Sequence, residues 1–128
     1  MRLFRTAMKW LLGLLFAAAG VMHFVSPDPY VAIVPPYLPW PLALVYLSGA
    51  AEVALGLLLL FPRFQSLAAW GLIALLVAVF PANLHMALNP DLYPTIPSAA
   101  LWGRLPMQAV LIAWAYWFTW RISPSVRS

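Results

Sequence analysis

The chain contains no cysteine among its 128 residues, which excludes disulfides, thiolate catalysis, covalent haem attachment through CxxCH and iron–sulfur ligation by cysteine. Any redox role therefore falls to a bound cofactor, a ligand or a partner. Charge is also scarce. Charged residues make up 8% and hydrophobic residues 65%, against about 25% and about 45–50% in an ordinary soluble domain. So few charges cannot coat a water-soluble globule, and the composition places one domain, residues 1–128, in a lipid bilayer. Three acidic residues stand against seven basic ones, for a net charge of +4. The basic residues are too few and too scattered for a phosphate-tracking patch, which argues against nucleic acid as a partner.

What is abundant is apolar sequence punctuated by 13 prolines. Four apolar segments, about 8–25, 41–61, 65–88 and 98–121, are each long enough to cross roughly 30 Å of hydrocarbon at 1.5 Å per residue. The expected fold is all-α, a four-transmembrane-helix antiparallel bundle with proline-rich outer loops. The first loop, SPDPYVAIVPPYLPWP, holds Pro27, Pro29, Pro35, Pro36, Pro39 and Pro41 and cannot be one continuous helix. Its YVAIV core has room for one short interfacial helix. The tight connection around Pro62, Arg63 and Phe64 implies an antiparallel hairpin. The third connection, NPDLYPTIPS, is proline-broken, and its Ser98 reads as the N-cap of the last helix.

Lys and Arg near span ends are retained on the cytoplasmic side. Arg2, Arg5, Lys9, Arg63, Arg121 and Arg127 fall on one face of the four-span arrangement, whereas the other carries Arg104 with Asp28 and Asp91. Both termini are thus expected on the cytoplasmic side of the inner membrane. Trp10, Trp117 and Trp120 then lie near the inner interface, and Tyr30, Tyr37, Trp40 and Tyr93 near the outer one, as an aromatic belt requires. A rival reading takes Arg2 to Lys9, WLLGLLF and AAAG as a secretory signal peptide. Three further spans keep the chain integral in either case. Gly13, Ala17 and Gly20 recur at helical spacing and suit close packing against a neighbour.

Within the spans, polar side chains are few: His23, Ser48, Glu52, Asn83, His85, Arg104 and Gln108. A charge such as Asp, Lys or Arg at mid-bilayer costs on the order of 2.5–3.5 kcal/mol on insertion scales, so such groups face the interior and find partners. Glu52 lies 11 residues after Pro41, or ~16 Å along its helix and close to the midplane. Ser48 is one turn above it on the same face and Gly56 one turn below. Arg104 is about 9 Å deep in the last helix, with Gln108 one turn further in. His23, Asn83 and His85 also fall in the outer half. The simplest pairing is Glu52 with Arg104, since each alone is driven toward neutrality or toward the headgroups. Such a pair reads either as a buried lock on helix register or as part of an outward-facing polar pocket.

Two prolines favour a pocket. Pro81 cannot donate to Val77, nor Pro106 to Trp102, so each frees a carbonyl beside the polar group. Irregular backbone at membrane depth is tolerated where it lines a cavity or is buried in protein. Asn83 and His85 differ by about 200° around the helix and cannot both point inward. Asn83 is assigned to the cluster and His85 to a helix interface or the outer headgroups. A bis-histidine haem from His23 and His85 is disfavoured, since nothing else specifies its pocket. Metal binding by Glu52 with one histidine is weak on the same ground, and no metal site is assigned.

GVMHF at 20–24, PPYLPWP, SGAAE at 48–52 with Gly56, Arg63, FPAN at 80–83 and RLPMQ at 104–108 together resemble the DoxX-like family of small four-helix membrane proteins. The resemblance runs from about residue 10 to 120. It implies a four-span bundle and an association with respiratory redox chemistry, since the family takes its name from a subunit of a thiosulfate:quinone oxidoreductase. It singles out His23, Glu52, Asn83, Arg104 and Gln108, the set chosen by depth. The expected function is a subunit or accessory of a membrane redox system, partnered by lipid and a redox protein, with an outer-half pocket for a quinone-like or other small molecule. Glu52, Arg104 and His23 are the candidate reactive groups, and Asn83, Gln108 and Ser48 the candidate ligand-binding ones. Quinone is the candidate cofactor. The alternatives are a structural or interaction protein whose Glu52–Arg104 pair only locks the bundle, or a small-molecule permease. Four spans without a repeat of broken helices argue against the permease.

Overall fold

A computed structural model describes residues 2–120; Arg121 and Arg127, counted above for orientation, lie outside the described residues, as does the end of the segment 98–121. Helix α1 spans Arg2–Val25, α2 Asp28–Ala32, α3 Pro41–Leu59, α4 Gln65–Leu88 and α5 Ser98–Trp117. Short 3₁₀ turns at Pro62–Phe64 and Pro90–Leu92 complete the secondary structure, and no strand occurs among the described residues. Three helical stretches, Arg2–Val25, Pro41–Leu59 and Pro62–Leu88, are long and apolar enough to cross a membrane. Helix α5 falls outside this set, because Arg104 and Gln108 interrupt its apolar sequence.

Proline sets most of the boundaries. Pro41 opens α3, where its missing N–H removes no helical bond. The residue before it, Trp40, takes a left-handed conformation at φ 51°. Asn89 precedes Pro90, which disfavours helical backbone there, and α4 stops. The short helix of the first loop begins at Asp28, two residues before the expected YVAIV core, with Pro27 at its N-cap. Ser98 is the first residue of α5; Pro97, with extended backbone, occupies the N-cap, and no side chain caps the helix. The N-cap expectation for Ser98 is thereby corrected. Helix α1 starts at Arg2 rather than near residue 8, so the basic residues ride on the helix itself. Helices α4 and α5 continue through Pro81 and Pro106.

Helices α1 and α3 run antiparallel in backbone contact. A Cβ on Gly13 would stand 2.6 Å from the Gly56 carbonyl oxygen, and one on Gly20 2.5 Å from that of Gly49. Gly13 and Gly20, like Gly49 and Gly56, are about two turns apart, so they meet on facing stripes. Helix α4 folds back on α3, with Gly71 against Leu55. Helix α5 packs on α4 in the reverse direction, as the Asn83–Gln108 contact at its middle and the Ser66–Thr119 contact just past its C-terminus require.

The end holding the N-terminus of α1 is tied together by side chains that bond the carbonyls at and just beyond the C-terminus of α5. The Arg5 guanidinium donates to the carbonyls of Trp117 and Trp120. Gln65 donates to Phe118 and Trp120, and Ser66 to Thr119. Lys9 donates to Gln65. Helix C-terminal carbonyls have no intrahelical donors, and these side chains supply them. Beneath this polar layer lies the main core of Leu12, Phe16, Leu59, Leu72, Leu76 and Phe118 with small alanines between. A second, smaller core of Met86, Tyr93 and Leu101 sits at the other end.

Candidate functional site: a polar-lined cavity

A cavity of about 520 Å³ lies between the two cores, bounded by Phe16 and Leu76 on one side and Met86 on the other. All five helices line it. Its walls are mostly aliphatic, from Val45, Leu75, Val79 and similar residues, and His23, Ser48, Glu52, Asn83 and Arg104 interrupt them, together with the phenol of Tyr30. All of the sequence-predicted set except Gln108 therefore converge on one space. Gln108 does not line the cavity but stands behind Asn83.

The close approach of Gly20 to Gly49 lays His23 directly against α3, so that a Cβ on Gly49 would sit 2.6 Å from the His23 Cβ. His23 Nε2 lies 3.0 Å from Glu52 Oε2; His23 is buried and Glu52 partly buried. Its Nδ1 is 2.8 Å from the Ala19 carbonyl oxygen. A carbonyl oxygen can only accept, so Nδ1 carries a hydrogen. The Nε2–Oε2 contact then needs one further proton, held by either the imidazole or the carboxyl. The couple is net neutral in both forms. Ser48 adds a long hydroxyl contact to the same oxygen at 3.5 Å. Tyr30 stacks on the imidazole with ring centroids 4.0 Å apart. In the sequence Tyr30 reads only as part of the aromatic belt, since nothing local shows that the proline-broken loop turns its ring inward.

The predicted Glu52–Arg104 pair does not form. The glycine stripe gives Glu52 a partner on α1, whereas Arg104 sits on α5, whose neighbour is α4. The Arg104 Nε donates to Asn83 Oδ1 at 3.4 Å. Asn83 in turn donates to Gln108 Oε1 at 2.6 Å, and Gln108 donates to the Leu76 carbonyl at 2.7 Å. That carbonyl neighbours Val77, whose amide donor Pro81 removes. Gln108 thus stitches α5 to α4 at the proline and fixes the orientation of the Asn83 amide.

His85 points elsewhere, as its 200° offset from Asn83 requires. It contacts the Tyr93 hydroxyl at 3.3 Å and packs edge-on to Tyr37. Burial, with the Tyr37 phenol adjacent, raises the Tyr93 hydroxyl above the usual phenol range, so this group stays neutral. The two histidines belong to separate clusters.

These features define a class: a helical protein with membrane-length apolar helices and a largely aliphatic cavity into which a few polar groups reach. Over residues 12–119 the chain matches the family described as Domain of unknown function (DUF8561), and it belongs to that family. No curated protein and no solved structure matches it.

Proposed function

We propose that the chain is a DoxX-like four-span protein of the inner membrane, with both termini cytoplasmic, and that its cavity holds a quinone-like or other small carbonyl-bearing molecule. In this reading it serves a membrane redox system as subunit or accessory. Helix α5 is the fourth span, and its Arg104 and Gln108 are tolerated because they bond to α4 rather than to lipid. The observation that carries the reading is the cavity itself. Its volume falls within the roughly 300–1,000 Å³ of small-molecule sites, and its aliphatic walls bring a few polar groups to one space. Asn83 and Arg104 on one wall offer N–H donors to a ligand oxygen, while the His23–Glu52 couple on another offers a proton.

Binding of 1,4-naphthoquinone to the purified protein in neutral detergent tests this. A ligand at 100 times its Kd stabilises the folded state by about 2.7 kcal/mol, a readily measured rise in unfolding temperature. The rise is expected in the wild type and lost in Asn83→Leu. Equal rises in both proteins, or none in either, refute the quinone assignment.

A second reading is favoured by one contact. The His23–Glu52 couple sits directly on the Gly20–Gly49 crossing, where it would lock the register of α1 on α3 without chemistry.

A further inference from the structure

We infer that the cavity selects a small amphiphile whose head is an oxyanion, either a carboxylate or an ionised acidic hydroxyl conjugated to a carbonyl. The inference rests on the proposed ligand-binding role of this cavity and specifies the ligand's charge.

Four of the five helices among the described residues present a titratable or charged group to the cavity. Helix α1 presents His23, α2 presents Tyr30, α3 presents Glu52, α4 presents only the neutral Asn83, and α5 presents Arg104. His23 and Glu52 share one proton across a 3.0 Å contact and sum to zero in either form. Arg104 is left uncompensated, because among the described residues no carboxylate lies within 4.0 Å of its guanidinium. Arginine does not neutralise itself by losing a proton in proteins. Among the described residues Arg104 is therefore the charged group of the cavity that has no partner of opposite sign.

The hydrogen bonds specify the head further. The Arg104 Nε is used by Asn83 Oδ1. Among the described residues its two terminal nitrogens have no acceptor. A guanidinium held by its Nε and open at its terminal nitrogens presents a planar fork, which matches the two oxygens of a carboxylate or of a hydroxy-carbonyl anion. Asn83 cannot swivel away, since its amide nitrogen is bonded to Gln108, itself anchored on the Leu76 carbonyl. The fork is thus braced through three residues to the backbone of α4. The aliphatic walls demand that the rest of the ligand be apolar.

The test is isothermal titration of the detergent-purified protein with two matched pairs, octanoate against octanol and 2-hydroxy-1,4-naphthoquinone, an anion at neutral pH, against 1,4-naphthoquinone. Arg104→Gln and Arg104→Lys are titrated in parallel, so that partition into micelles cancels. The expected result is at least tenfold tighter binding of each anion than of its neutral partner. This preference is abolished in Arg104→Gln and only partly kept in Arg104→Lys, which retains the charge but not the fork. Equal binding of charged and neutral members by the wild type overturns the inference, whatever the variants do, and leaves the quinone reading standing if both naphthoquinones bind. Binding of octanoate alone upholds the inference and removes the quinone reading. Binding of none of the four overturns both.

Discussion

Replacing Gly49 by alanine adds one methyl group where the helices have no room for it. The new Cβ would stand 2.6 Å from the His23 Cβ and 2.9 Å from the Gly20 carbonyl oxygen. Ordinary carbon–carbon contact begins near roughly 3.5 Å, so α1 and α3 must part by about 1 Å. Neither obstacle is the free end of a flexible side chain; one is backbone and the other the root of a buried histidine. Overpacking of this kind costs about 1–3 kcal/mol, offset by about 0.5–1 kcal/mol from replacing a helical glycine. A net loss of about 1–2 kcal/mol follows. The same movement stretches the 3.0 Å His23–Glu52 contact beyond hydrogen-bonding length. Gly103 is the internal control, since a Cβ there meets nothing within 4 Å. Gly103→Ala is expected to stabilise by up to about 1 kcal/mol. Reversible unfolding in mixed detergent micelles measures both stabilities, and nitrogen NMR of labelled histidine reads the state of Nε2. If Gly49→Ala and Gly103→Ala shift stability in the same direction, with an unchanged His23 signal, the glycine-stripe geometry is wrong.

Gln108→Leu removes the amide that satisfies both Asn83 and the Leu76 carbonyl, at a cost of about 1–3 kcal/mol; unchanged stability would show that this network does not bind α5 to α4. His23→Leu strands the Glu52 carboxyl and should cost about 3 kcal/mol or more, whereas the double change with Glu52→Leu recovers most of that loss. A double variant no more stable than the single one would contradict the coupling. Because the chain has no cysteine, one introduced at exposed Asp28 or exposed Arg63 is the only thiol present. The four-span topology predicts that an impermeant maleimide labels the Asp28→Cys protein from outside and the Arg63→Cys protein only after permeabilisation. Labelling of both from one side would refute that topology.

The outline of the helices was legible because it depends on local chemistry. Prolines at 41, 62, 90 and 97 cannot sustain the helices around them, and the apolar runs between are membrane-length regardless of what packs on them. Most of the polar groups that meet in the cavity were legible for a related reason, since polar groups in apolar spans must face inward and depth can be counted. Their pairing was not legible. Glu52 and Arg104 attract each other on charge alone, and only the crossing of α1 on α3 decides that histidine reaches Glu52 first. Tyr30 was missed because its ring position depends on how the loop around Pro27 and Pro29 closes over His23.

The amino-acid sequence alone thus determined an all-helical chain with membrane-length apolar helices, and the short list of polar residues that such a chain must bury. Both follow from the cost of exposing backbone and charge to hydrocarbon, which each segment meets on its own. The tertiary structure decided which of those residues touch. Gly20 on Gly49 gives Glu52 to His23, and Gln108 on the α4 backbone gives Arg104 to Asn83. Partner choice depends on which helix faces lie in contact, and that is a property of the packed helices together.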